Sequence, residues 1–129
     1  MNAVKFDLNA YLWDESNLHP NFAALFKRRR ANGSYWKDAW AGKLPIRQVN
    51  PITCADGLTM SVQASETHYC SPRSNLGPYT EVEVGFPSQL VEELMEYAES
   101  PDTPTDTVYA NVPVAVVKAV IEKHGGLKA

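Results

Sequence analysis

Cysteine is scarce in this chain: Cys54 and Cys70 are the only two among 129 residues. Small secreted domains tend to carry more, paired as disulfides, so two free thiols in a reducing cytoplasm are expected. Histidine is equally sparse, with His19, His68 and His124 scattered, and neither a C-x-x-C nor an H-x-x-x-H spacing occurs. That excludes the usual closed zinc sites, and no metal is expected. No apolar run reaches the ~18–20 residues that a membrane-spanning helix needs. The opening MNAVKFDLNAYLW lacks a basic start followed by an apolar stretch, so no secretory signal is expected. There is no G-x-x-x-x-G-K-[ST] loop to cradle a phosphate chain. Cations are missing almost entirely from the second half, where Arg73 is the only one between Arg47 and Lys118.

What remains is ordinary globular material, 44% hydrophobic and 21% charged. The length suits one domain over 1–129, divided into an N-terminal arm with a short helix (1–43) and a sheet-plus-helices core (44–129). Charge is unevenly placed. Residues 1–48 carry eight cations and four acids, whereas residues 49–129 carry four cations and eleven acids. Such a contrast marks either an interaction arm or two halves that attract each other. The run Lys27-Arg28-Arg29-Arg30 could meet phosphate. It is short and isolated in a chain of pI about 5.6, so nucleic-acid binding is disfavoured.

Periodicity supplies the elements. Residues 1–20 read as an irregular arm. Asn21 can cap a helix over Phe22–Ala31, stopped by Asn32-Gly33. Trp36 and Trp40 share a face if helical. Ile46–Val49 is a weak strand, and Leu58, Met60, Val62 and Ala64 alternate with polar residues in a second. The turn signal Cys54-Ala55-Asp56-Gly57 predicts a hairpin between them. Tyr79–Phe86 is the third strand, with Thr80, Val82, Val84 and Phe86 on one side and Tyr79, Glu81, Glu83 and Gly85 on the other. Ser88 can cap a helix to about Glu99 that buries Leu90, Val91, Leu94 and Met95. Val108-Tyr109-Ala110 can form a short strand. Asn111 can then cap a helix with Pro113 in its first turn, Val116, Val117, Val120 and Ile121 inward, and Gly125-Gly126 as its end. The fold class expected is α+β: an antiparallel β-sheet with two C-terminal helices packed on one face.

Polar chemistry concentrates between the second and third strands, from Gln63 to Tyr79. This connection is too long for a hairpin turn and rich in specific donors, as functional loops are. Arg73 can fork onto a phosphate or stack on a base. Ser71, Ser74 and Asn75 add neutral donors, and Tyr69 and Tyr79 add flat faces. The polar strand faces contribute Gln63, Ser65, Glu81 and Glu83. Together these suit a nucleotide-like, anionic and aromatic ligand. The alternative is an ordinary loop, with Arg73 paired to Glu81 or Glu83. Catalysis is not expected: Glu81 and Glu83 share a strand face, but no base, nucleophile or metal cluster accompanies them, and no cofactor is implied. Both cysteines are expected to be reduced and dispensable.

Residues Asn50–Ser65, His68–Arg73 and Tyr79–Ser88, with Val108–Val114 and Glu122–Gly126, resemble small proteins of tailed bacteriophages over roughly residues 45–126. Size and element order are similar to those of phage anti-defence sponges, notably the Thoeris anti-defence proteins that sequester cyclic ADP-ribose signals. Such sponges are non-catalytic and oligomeric, and hold the nucleotide with arginine, aromatic and amide side chains. The resemblance implies a host-cytoplasmic binder of a small nucleotide immune signal. Two other roles stay open: a protein-binding inhibitor of a host CRISPR or restriction complex, and a minor virion or accessory protein. The aromatic supply of the first forty residues (Tyr11, Trp13, Tyr35, Trp36 and Trp40) points to a homo-oligomer, a dimer first of all.

Overall fold

A computed structural model describes residues 7–14, 17, 49–74 and 77–128. The expected helix over 22–31, the basic run 27–30, Tyr35, Trp36, Trp40, most of the first strand expected over 46–49, and Asn75 lie outside them, as does the Trp13 side chain. The described elements are α1 (Leu8–Trp13), β1 (Ile52–Thr53), β2 (Thr59–Gln63), β3 (Glu81–Gly85), a 3-10 helix (Glu92–Tyr97), β4 (Val108–Pro113) and α2 (Val114–Lys123). The four strands form one antiparallel sheet in sequence order. With the 3-10 helix and α2 both against β4, the architecture is α+β as the periodicity predicts.

The first hairpin forms around the expected turn but uses different residues. Ile52 pairs with Met60 and Thr53 with Thr59. The turn is tight: Cys54 N–H donates to Leu58 O at 2.7 Å, and Gly57 sits at φ +99°, where a side chain would be strained. A turn that short places the residues immediately before it opposite β2, so Ile52–Thr53 take the place expected for Ile46–Val49. Val49 joins the sheet differently, through the Gln63 side chain. That amide accepts from Val49 N–H at 2.8 Å and donates to Val49 O at 2.9 Å, a substitute for one rung of ladder.

Val62, Val82, Val84 and Val112 are fully buried, as alternation requires. Tyr109 and Val112 are both buried although three residues apart, which strict alternation forbids. A bulge reconciles them. Val84 faces Tyr109 and Val82 faces Val112, so the single residue Glu83 opposes the two residues Ala110 and Asn111. Asn111 takes φ +51°, a region asparagine tolerates better than most residues. It is therefore a bulge residue inside β4 and not the expected helix cap. The strand continues to Pro113, which precedes α2 without a side-chain cap bond.

The expected helix from Ser88 is the other correction. Ser88 N–H donates to Thr59 O at 2.8 Å, and its Oγ accepts from Thr59 N–H at 3.0 Å. The chain leaving β3 thus stays beside β2 as far as Ser88, and only a 3-10 segment of six residues follows. Val91 and Leu94 are buried as expected, whereas Leu90 and Phe86 are exposed. Phe86 leaves the strand face because its backbone turns to φ +50°.

Both sheet edges are covered by the chain's own segments. Lys128 N–H donates to Thr53 O at 2.8 Å outside β1, and Glu99 N–H donates to Val108 O at 3.0 Å outside β4. The β1 cover depends on how α2 ends. Gly126 N–H bonds Ile121 O at 2.9 Å and Gly125 N–H bonds Glu122 O at 3.1 Å, the paired 6→1 and 5→2 bonds of a Schellman motif. A Cβ on Gly125 would stand 2.9 Å from the Ala55 Cβ, at a φ of +91°. Gly125→Ala is expected to cost about 1–3 kcal/mol, strain and clash together. A urea melt with an unchanged midpoint would contradict this.

Candidate binding loop

The described part of the segment between β2 and β3 is held by a run of hydrogen bonds. It leaves β2 through Ser65, which is fully buried. Ser65 Oγ accepts from Thr67 N–H at 3.1 Å, lies 3.0 Å from Thr67 Oγ1 and shares a 2.5 Å hydrogen bond with His68 Nδ1. Cys70 Sγ donates back to Ser65 O at 3.1 Å. Further along, Ser71 pairs with Glu81: its N–H donates to Glu81 O at 3.0 Å, and Ser71 O accepts from Thr80 N–H at 2.8 Å. The Ser71–Pro72 and Gly77–Pro78 peptide bonds are cis. On the return, Asn9 of α1 grips Tyr79 like a strand neighbour: Tyr79 N–H donates to Asn9 Oδ1 at 2.6 Å, and Asn9 Nδ2 donates to Tyr79 O at 3.0 Å. Tyr79 O–H donates to Ser74 O at 2.8 Å, so the ring braces the loop from beneath.

Tyr69 stands at the centre of this frame. Its N–H donates to Glu83 Oε2 at 2.9 Å, and its carbonyl accepts Asn111 N–H at 3.0 Å. Glu83 and Asn111 are the two sides of the β-bulge. The irregularity that turns a strand residue's N–H out of the ladder therefore fixes the loop backbone on both sides of the Tyr69 side chain. The ring is left 42% exposed. The Arg73 guanidinium carbon lies 5.3 Å from its centroid, within cation–π range. Arg73 is exposed, and no carboxylate stands within 4.0 Å of it among the described residues. The pairing with Glu81 or Glu83 considered from the sequence is thus replaced by a contact with Tyr69.

The expected site residues separate into two groups. Arg73 and Tyr69 come together at the surface, with Ser71 and Glu81 half-buried at the base of the loop. Gln63, Ser65 and Tyr79 are buried and committed to internal hydrogen bonds, so they build the loop and do not face solvent. Positioning by Asn9, Glu83 and Asn111 was not anticipated. Asn9 lies some seventy residues from its partner, and Asn111 carries the same signal for a helix cap as for a bulge.

Burial pushes the Cys70 thiol above its ordinary value, and burial likewise raises Cys54. Neither thiol has the lowered pKa of a nucleophile. Burial holds the His68 imidazole below its usual range, favouring the neutral ring. Among the described residues, no three His, Cys, Asp or Glu side chains converge as a metal site would require. Nor is any described helix long and apolar enough to cross a membrane. Compared with protein-family models, curated proteins and solved structures, the chain matches none of them.

Proposed function

We propose that the protein binds a small nucleotide without catalysis, with the ligand seated on Tyr69 and Arg73. The observation that carries this reading is the exposed guanidinium–tyrosine pair on a loop tied to the sheet from both sides. Arg73 has its planar fork of donors available for phosphate, and it is the only cation in that stretch of chain. Tyr69 offers an aromatic face for a base. Backbone already fixed at Tyr69 loses little conformational freedom when the ligand arrives. The phage resemblance adds the class of nucleotide, a cyclic ADP-ribose-like or cyclic oligonucleotide immune signal, and sequestration as the outcome.

Thermal melting of the intact chain with cyclic ADP-ribose and with a cyclic dinucleotide tests the proposal. A ligand present at a hundred times its Kd adds about 2.7 kcal/mol by mass action. A rise in melting temperature with one of the two is expected, and no rise with either would overturn the reading. Inhibition of a host protein complex is favoured by one other observation: Phe86 and Leu90 are large, apolar, 55% and 48% exposed, and close in sequence. That role predicts no response to nucleotide.

A further inference from the structure

His68 immediately precedes Tyr69, is itself buried, and has one ring nitrogen committed within the loop. Its Nδ1 shares the 2.5 Å bond with Ser65 Oγ, which already accepts the Thr67 N–H. Its carbonyl accepts Cys70 N–H at 2.9 Å, and its own N–H donates to Ser65 O at 3.3 Å. Among the described residues, the charged groups that act on the ring are Glu83 from β3 and Arg73 from the same loop, with the Cys70 thiol two residues on. The same Glu83 carboxylate holds the Tyr69 N–H, and the same Arg73 covers the Tyr69 ring.

We propose that His68 is a proton-operated latch on the Tyr69–Arg73 pair, closed while the imidazole is neutral and released when it takes up a proton. The proposal rests on the binding reading only in giving the latch a purpose. In the neutral tautomer whose Nδ1 accepts the Ser65 O–H, a proton arriving from solvent makes Nδ1 a donor, and the Ser65 O–H turns from the ring toward Thr67 Oγ1. The new positive charge attracts Glu83 away from the Tyr69 amide and repels Arg73 from above the Tyr69 ring. Both contacts that define the pair weaken together. Burial lowers the affinity of His68 for that proton. The sign follows: stability from the neutral ring is complete above the ordinary imidazole value of about 6.5 and falls as the pH drops below it.

The test is an NMR titration of the intact chain from pH 8 to pH 5 without ligand, following the His68 ring and amide-hydrogen exchange at Tyr69. The His68 midpoint should lie below 6.5, and the Tyr69 protection factor should fall about tenfold over the same span. In His68→Gln, Tyr69 protection should not vary with pH. In Glu83→Gln, His68 should still titrate, but with the Tyr69 response lost. Constant Tyr69 protection while wild-type His68 titrates would overturn the latch, as would an unaltered response in His68→Gln. If that variant does not fold, the wild-type and Glu83→Gln titrations still decide. Because no ligand is added, failure of the latch and failure of nucleotide binding are separate results.

Discussion

Tyr109→Ala is expected to destabilise the domain by about 3–5 kcal/mol, the range for deleting a buried aromatic ring. Tyr109 is fully buried and, among the described residues, is the largest side chain to be so. It also fastens the periphery: its O–H donates to Pro104 O at 2.5 Å, and Met95 Sδ lies 4.0 Å from the Tyr109 hydroxyl oxygen. Truncation would empty the centre of the sheet–helix interface and release the connection after the 3-10 helix. A domain of this kind holds only about 5–15 kcal/mol in total, so the loss is a large share. It corresponds to a fall in melting temperature on the order of 10–15 °C. Tyr109→Phe keeps the ring and removes only the hydroxyl, leaving the Pro104 carbonyl short of a donor, at about 1–2 kcal/mol. Equal losses for the two variants in urea melts would show that the hydroxyl, not the packed ring, dominates.

Arg73→Ala is expected to weaken nucleotide binding at least ~30-fold while scarcely changing stability. The two effects separate because Arg73 does different things in the free and bound states. In the free protein it rests on the Tyr69 ring in water, an exposed contact worth about 0.5–1 kcal/mol. Against a bound phosphate the same group becomes a desolvated charge-assisted fork, whose removal costs about 2–5 kcal/mol. Arg73→Lys should recover little, since a point charge cannot reproduce the planar pair of donors. An Arg73 engaged in an ion pair with Glu81 or Glu83 would give the reverse pattern, with stability lost first and binding following it. Calorimetric titration beside a thermal melt on both variants distinguishes the two.

Strand β3 and helix α2 are legible in the sequence because each has a buried stripe with one period. Val82 and Val84 alternate, and Val117, Val120 and Ile121 recur at helical spacing. The Cys54–Gly57 turn and the Gly125-Gly126 stop are equally plain, since glycine there adopts positive φ. The bulge is harder to read. Asparagine suits a helix N-cap through its side-chain oxygen and a bulge through its tolerance of left-handed φ, and only pairing with β3 decides between them. Ser88 is similar: its hydroxyl could cap a helix, but the edge of β2 takes it first. For the loop, period two shows which side of β2 Gln63 lies on, not that the chain near Val49 and the segment after Ser65 cover that side. The exposure of Arg73 and Tyr69 is easier to foresee, because the loop between β2 and β3 carries both outside that cover. The burial of Gln63, Ser65 and Tyr79 follows from that cover and does not show in their polarity.

Amide chemical-shift mapping of the intact chain during titration with cyclic ADP-ribose, repeated with a cyclic dinucleotide, bears most directly on where and what the protein binds. One of the two should move Tyr69, Arg73 and Ser74 in saturable fashion and leave the α2 amides in place. Shifts centred on Phe86–Leu90, or spectra that neither nucleotide alters, would contradict a nucleotide site on the Tyr69–Arg73 loop.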